Sequence, residues 1–391
     1  MSSPPTCRPA TRSDQAALRK LCEARDPSQR ERFVAELSDK ACSWVVGLVD
    51  GAIVAAGSLK LERDTRLGKV LTLCARGSEW ERRGHLQGVL AALLDQIRSS
   101  DAADIVYSTT RTLAIEEQLA TVDAGFKALG VFPGARSADG GSVSGLTAWF
   151  AEGVIKTLRH ADFALHPAIA PFYALAGEAC GLPPAPKTDA AASAAEKSLS
   201  AYPDVLPPLE LIDAARFAAE RFRRLKVRRG LSVNFYPFSE PNVVILSADE
   251  GVQVFASLQP ELGFATLIGE HLRSSVHPVR LYREAVRLLE AKGAAYVEAI
   301  NDAADAASIE CILRAGFSPC GYFPCLKLSA ARRRDFVVFA HSRARSIAHA
   351  AAHPLHLRFL AEYLKAVDRG WPPGPAPPAR AAPPDRRKEQ G

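Results

Sequence analysis

The sequence predicts an α+β fold present in two tandem copies, each a mixed, mostly antiparallel sheet flanked by helices. Three observations carry this expectation. The chain has 391 residues, enough for two domains of ordinary size. Sliding the chain on itself by 191 residues, the separation of Gly130 from Gly321, superposes DAGFKALGVFP (123–133) on RAGFSPCGYFP (314–324), with six identities in the ten positions from Ala124 to Pro133. Self-similarity at a fixed offset marks a duplicated unit. Within each half, paired runs of alternating apolar residues flank a DG or EG, the chemistry of a β-hairpin.

Element by element, the copies run in parallel. Each opens on a segment with helical periodicity, Asp14–Leu37 and Leu209–Leu225. The hairpins follow, SWVVGLVDGAIVAAGSLKLE and NVVILSADEGVQVFASLQ. A third β run, Lys69–Cys74 or Phe264–Ile268, precedes a loop and a Leu-rich helix. Next come a short strand (Ile105–Ser108; Tyr296–Ile300), a helix ending at Ala-Gly-Phe, and a final strand (Gly145–Phe150; Asp335–Ala340). The Gly of Ala-Gly-Phe stands where a helix stop needs positive φ, and the Phe can pack back on the helix end. His166-Pro167 and His353-Pro354 each precede an apolar helical segment, with Pro suited to the first helical position. Residues 181–208, rich in Pro, Ala and Ser, read as a linker, and 366–391 as a Pro-rich disordered tail. The copies are then 1–180 and 209–365.

Composition narrows the class. With 48% hydrophobic and 24% charged residues the chain is neither disordered nor collagen-like, and it has apolar material for two cores. A net charge of +6 demands neither nucleic acid nor an anionic membrane as partner, though it accommodates an anionic ligand. The longest apolar stretch is broken by Asp50 and glycines, so no membrane span is expected. The eight cysteines lie singly, with no Cys-x-x-Cys and no finger spacing, which predicts no metal site and a reducing, cytoplasmic location. Homo-oligomerisation is left open. RFRRLKVRR (221–229) could bind nucleic acid, but interleaved Phe222, Leu225 and Val227 read as an amphipathic helix with a solvated cationic face. Arg332–Arg334 read as a solvated turn.

One loop carries ligand chemistry. SEWERRGHLQG (78–88) lies between the third β run and the Leu-rich helix. Backbone N–H groups and the positive end of the helix dipole suit a phosphate there. Arg82 and Arg83 add charge-assisted donors, and Gly84 permits close backbone approach.

In this loop, the element order and the Ala-Gly-Phe endings, the sequence resembles the GNAT superfamily of acyl-CoA-dependent N-acyltransferases. That family's pyrophosphate loop, Gln/Arg-x-x-Gly-x-Gly/Ala, falls on Glu81, Gly84 and Leu86, where only the central Gly agrees. The resemblance implies acetyl-CoA or another acyl-CoA as co-substrate, an amine as acceptor, and Arg82, Arg83, Gly84, His85, Leu86 and Gln87 as the residues that hold the cofactor. The Tyr that many members use as acid falls on Thr121 and Ile312, so no phenol is supplied there. The second copy's loop, 269–278, lacks the glycine and reads as degenerate. Transfer to an amine needs a base for the ammonium and an acid for the thiolate. Tyr107 at a strand end is the candidate acid, and Glu79 and Glu62, expected at the same cleft, are the candidate bases. Cys74 as an acyl carrier competes with a small buried hydrophobe. A non-catalytic binding or regulatory protein is the alternative, and a nucleic-acid binder a more distant one.

Overall fold

A computed structural model describes residues 4–25, 30–111, 115–135, 143–186, 197, 199–234, 236, 238–273, 275–342 and 353–369. The first copy comprises β1 (Thr6–Pro9), α1 (Gln15–Arg25), α2 (Arg30–Ser38), β2 (Cys42–Val49), β3 (Ala52–Glu62), β4 (Leu67–Ala75), α3 (Glu79–Ser100), β5 (Ile105–Arg111), α4 (Ile115–Asp123), β6 (Lys127–Pro133), β7 (Val143–Phe150) and α5 (Ala170–Cys180). The second comprises β8 (Leu209–Asp213), α6 (Ala215–Val227), β9 (Val233–Asn234), β10 (Val243–Ser247), β11 (Val252–Gln259), β12 (Phe264–Leu272), α7 (Pro278–Ala291), β13 (Tyr296–Asp302), α8 (Ala306–Arg314), β14 (Ser318–Ser329), β15 (Arg332–Ser342) and α9 (Pro354–Arg369).

Apart from β9, the strands form one sheet in the order β1-β2-β3-β4-β5-β7-β6-β14-β15-β13-β12-β11-β10-β8. The order is palindromic: each strand of one copy sits at the place of its counterpart, and the copies meet where β6 pairs with β14. The register there sets Gly130 opposite Gly321, the very pair superposed by the repeat. A Cβ on Gly130 would lie 2.5 Å from the Gly321 Cα, and one on Gly321 3.0 Å from the Leu129 carbonyl oxygen. The repeated Gly is thus the residue that lets two backbones cross at a local two-fold axis. The mixed, mostly antiparallel sheet agrees with expectation: β4 with β5 and β12 with β13 are parallel, and the other pairs antiparallel. Gly125 and Gly316 close their helices at φ 90 and 96. The amides of Phe126 and Phe317 then bond the carbonyls of Thr121 and Ile312 at 3.0 and 3.2 Å, and both rings are buried.

Several expectations are corrected. β6 and β14, the segments that carry the repeat, are strands that the sequence reading passed over, because their Gly and Pro look like turn chemistry. Leu209–Asp213 is not helix but the edge strand β8, paired with β10. Two separate cores were expected, yet one cluster of buried side chains takes in Leu129, Leu146 and Phe172 of the first copy with Val254, Ile312 and Phe339 of the second. The helix expected to end near 365 runs to Arg369, and residues 370–391 lie outside the described residues. At the end of the segment read as linker, Leu199 is buried and Arg280 bonds Asp204 at 3.0 Å.

Arg333, expected in a solvated turn, is wholly buried and crosses the seam. It donates to Asp104 Oδ2 at 2.7 and 3.0 Å and to the Thr65 carbonyl at 2.7 Å. Arg159 makes a second buried bridge, to Asp335 of the other copy at 2.5 Å, where Tyr322 also donates at 2.6 Å. α5 and α9, each begun by a His-Pro, lie together over β6 and β14, with Phe172 and Phe359 rings 6.4 Å apart. His356 of α9 sets its Nδ1 3.2 Å from the Gly130 carbonyl, and burial pushes its pKa down to about 4.

Candidate functional site

The two parallel pairs each open into a cleft. β4 and β5 pair from Leu67↔Ile105 to Val70↔Ser108, after which β4 continues to Ala75 without β5. A bulge opposite Ser58/Leu59 bends β4 at that point. The opening faces the start of α3. On its α1–α2 side the buried Glu36 carboxylate accepts from Thr72 Oγ1 at 2.6 Å and Ser58 Oγ at 3.2 Å. Sequence reasoning passed over Glu36; the available signal was a carboxylate three residues after Phe33 on the apolar face of α2.

The residues expected to hold a cofactor occupy the first turns of α3 itself, not a loop before it. Ser78 caps the helix and Glu81 completes the capping box, its carboxylate taking the Ser78 amide at 2.9 Å. Arg82 donates twice to the buried Glu116 of α4, at 2.6 and 2.8 Å. Arg83 and Gln87 both reach Asp123, the last residue of α4, at 2.8 and 2.6 Å. His85 turns inward, its Nδ1 3.3 Å from the Arg76 carbonyl, and Leu86 is core. A Cβ on Gly84 would meet nothing within 4 Å, so its surface is open to a ligand. Trp80 stands 71% exposed beside it, with the Arg83 guanidinium 5.9 Å from its ring centroid.

The three candidate catalytic groups are not brought together. Glu79 is exposed at the first position of α3. Glu62 pairs with Leu67 at the far end of β4, away from the opening, which corrects its expected place. Tyr107 packs against Phe238 and Phe323 of the second copy, with centroids 5.8 and 5.7 Å away and Lys69 Nζ 5.4 Å from its ring. Cys74 is buried, its sulfur 3.1 Å from that of Cys22. Thr121 is core and donates to the Gln118 carbonyl at 2.8 Å.

The second cleft begins in the same way. β12 and β13 pair from Phe264↔Tyr296 to Thr266↔Glu298, and a matching bulge lies opposite Phe255/Ala256. Gly269–Leu272, expected as loop, is the end of β12. Here, though, β9 enters the opening and pairs with Gly269 and Glu270. Tyr236 follows it and donates to Glu298 at 2.9 Å. Beneath this strap is a cavity of about 30 Å³ lined in part by Tyr236, Glu270, Tyr282 and Asn301. Burial pushes the Glu270 pKa up to about 7, while Tyr282 donates to it at 3.1 Å. No cluster of three or more His, Cys, Asp or Glu among the described residues is arranged to hold a metal ion, and none of their helices is long and apolar enough to cross a membrane.

No family model matches the chain, and no curated protein does. Among solved structures it is similar to the aminoglycoside 6'-N-acetyltransferase from Enterococcus faecium, 13% identical with a TM-score of 0.33, over 37% of this chain and 96% of that one. It is similar also to NAA60 of Arabidopsis thaliana in complex with a bisubstrate analogue, 16% identical with a TM-score of 0.33, over 38% and 98% of the two chains. A third is the ribosomal-protein-alanine N-acetyltransferase from Brucella melitensis, 15% identical with a TM-score of 0.31, over 37% and 99%.

Proposed function

We propose that the chain is an acyl-CoA-dependent N-acyltransferase whose first cleft takes the thioester and whose second copy, residues 209–365, braces the first, residues 1–180. The observation that carries this reading is the splay of β4 from β5 beyond Val70, opening onto the start of α3 in the element order that the GNAT resemblance implies. The donor set fits an anionic pyrophosphate: Arg82, Arg83 and Gln87 supply guanidinium and amide donors, and Gly84 leaves its surface bare. In this reading phosphate oxygens replace Asp123 as the partner of Arg83 and Gln87. Glu36, held by Thr72 and Ser58 on the other wall, accepts the proton that the ammonium must lose before its nitrogen can attack.

A non-catalytic binding protein is the second reading. It is favoured by the carboxylates of Glu81, Glu116 and Asp123, which already neutralise the helix start and both arginines. Calorimetric titration with acetyl-CoA and longer acyl-CoAs, with Gly84→Asp as control, is the first test; no binding to any of them sinks the transferase reading. Free-thiol release with a panel of amines then separates them. Turnover lost in Glu36→Gln supports the transferase, and tight binding without turnover supports the alternative.

A further inference from the structure

The cavity of the second copy has a chemistry of its own. Glu270 on β12, Tyr282 on α7 and Asn301 on β13 converge on it from three elements. Asn301 is 6% exposed, its Nδ2 donates to Ser308 Oγ, and its Oδ1 is buried with no partner. Glu270 is 9% exposed, and among the described residues what acts on it is burial and the Tyr282 hydroxyl, with no cation. A buried acceptor without a donor and a buried carboxylate without a counter-ion are both costly, and each is an exception that asks for a ligand. Both can take a further donor, and one that carries positive charge would answer the carboxylate as well as the amide oxygen.

We propose that this cavity is a binding site for one ammonium group, either the ammonium ion or the terminal –NH3⁺ of an alkylamine. An ammonium group has donors and no acceptor, and the cavity offers the complement: the Asn301 Oδ1, the Glu270 carboxylate and the lone pairs of the Tyr282 oxygen. A cavity of about 30 Å³ has room for a small cationic head where an ordered water could otherwise sit. Tetramethylammonium, which has no N–H, offers these acceptors no donor. The apolar remainder of the lining, including Val254, Leu267 and Ile312, suits the first carbons of an alkyl chain. The site stands whether or not the first cleft transfers acyl groups.

The test is thermal unfolding and calorimetry of the full chain with ammonium, methylammonium and butylammonium chlorides, against potassium and tetramethylammonium chlorides. Saturable stabilisation by ammonium or a primary alkylammonium at pH 8 is expected, and the two arms tell the free ion from an alkylamine. Asn301→Leu and Glu270→Gln are expected to weaken it about tenfold or more. Asn301→Asp, which presents only acceptors to the cavity, should retain binding. The groups facing Glu270 are Tyr282, the Cys311 thiol, itself pushed up by burial, and Tyr236 with its partner Glu298. Because Glu270 is a carboxylate only above about pH 7, binding should weaken between pH 8 and pH 6. The proposal is overturned by no saturable effect on the wild-type chain, by potassium matching ammonium, or by Asn301→Asp losing binding as Asn301→Leu does.

Discussion

The two clefts start from one plan and end in opposite states. Each follows a bulge in the strand pair beside it, and each opens where a parallel pair separates. In the first copy the wall position six residues into the strand is Leu73, packed beneath α3; in the second it is Glu270, buried against Tyr282. The first opening has its arginines at the rim, where Arg82 and Arg83 tie α3 to α4, and its one buried carboxylate, Glu36, is satisfied by Thr72 and Ser58. The second has its charge inside and a strand of its own chain across the mouth. Strands that part leave backbone groups unpaired, and those groups need either a visiting ligand or a permanent neighbour. The two halves of the sheet adopt one solution each.

The comparison depends on the seam that holds the copies in one sheet, so the largest effects are expected there. Arg333→Ala removes the Asp104 partner that crosses the seam, Arg66 still holding that carboxylate at 2.8 Å, and should cost about 2–3 kcal/mol. Urea unfolding measures it, and the lower midpoint should apply to both copies together, since one core spans them. Unfolding in two separate steps in the wild-type chain would break the picture of a shared core. Gly321→Ala is next. Its added methyl meets the Leu129 carbonyl and Gly130, forcing β6 from β14 at a cost of about 1–3 kcal/mol. Gly130→Ala crowds the same contact, so the double variant should cost less than the sum of the two.

Local patterns made most elements readable; the arrangement was not. The hairpins and the Ala-Gly-Phe stops depend on neighbours in sequence, and they stand where expected. The palindromic sheet order depends on which edges meet 191 residues apart, and periodicity does not carry that. Arg333 sits between Arg332 and Arg334, a composition that looks solvated, and its burial is understood only once Asp104 lies across the seam. Glu270 is unreadable for the same reason: Gly-Glu-His-Leu is polar by composition, and the side chains around the carboxylate, Tyr282 and Ile312, come from α7 and α8. Among candidate site residues, the arginine-rich helix start was visible as charge, but its partners Glu116 and Asp123 come from α4.

Acid and base separate the second cleft from the seam. Glu270 has its folded pKa raised to about 7, so the folded state binds the extra proton and stability falls as pH rises from about 4.5 to 7, by about 3 kcal/mol. His356 at the seam has its folded pKa lowered to about 4, so the unfolded state binds the extra proton and stability rises with pH from about 4 to 6.5 by a similar amount. The two slopes oppose each other, and the wild-type chain should show little change between pH 4.5 and 6.5. Urea titrations of single variants uncover them. Glu270→Gln should gain stability with rising pH, and His356→Leu should lose it; equal flat profiles in all three proteins would sink the assignment.

The smallest effect on stability falls at the first cleft, where it is also the most informative about function. Arg83 and Asp123 are each about 30% exposed, and pairs of that kind contribute less than about 1 kcal/mol. Asp123→Ala should therefore leave unfolding nearly unchanged while freeing both Arg83 and Gln87 of the carboxylate they share. If α3 receives a pyrophosphate, the freed donors no longer have to give up a carboxylate, and acetyl-CoA affinity should rise about two- to tenfold; Arg83→Ala should lower it. If the tie to α4 is instead the permanent counterpart of β9, closing this cleft as the strap closes the other, neither substitution changes affinity. Calorimetry of the two variants beside the wild-type chain decides whether the first cleft is a site held ready by its own carboxylates or a second opening sealed by them.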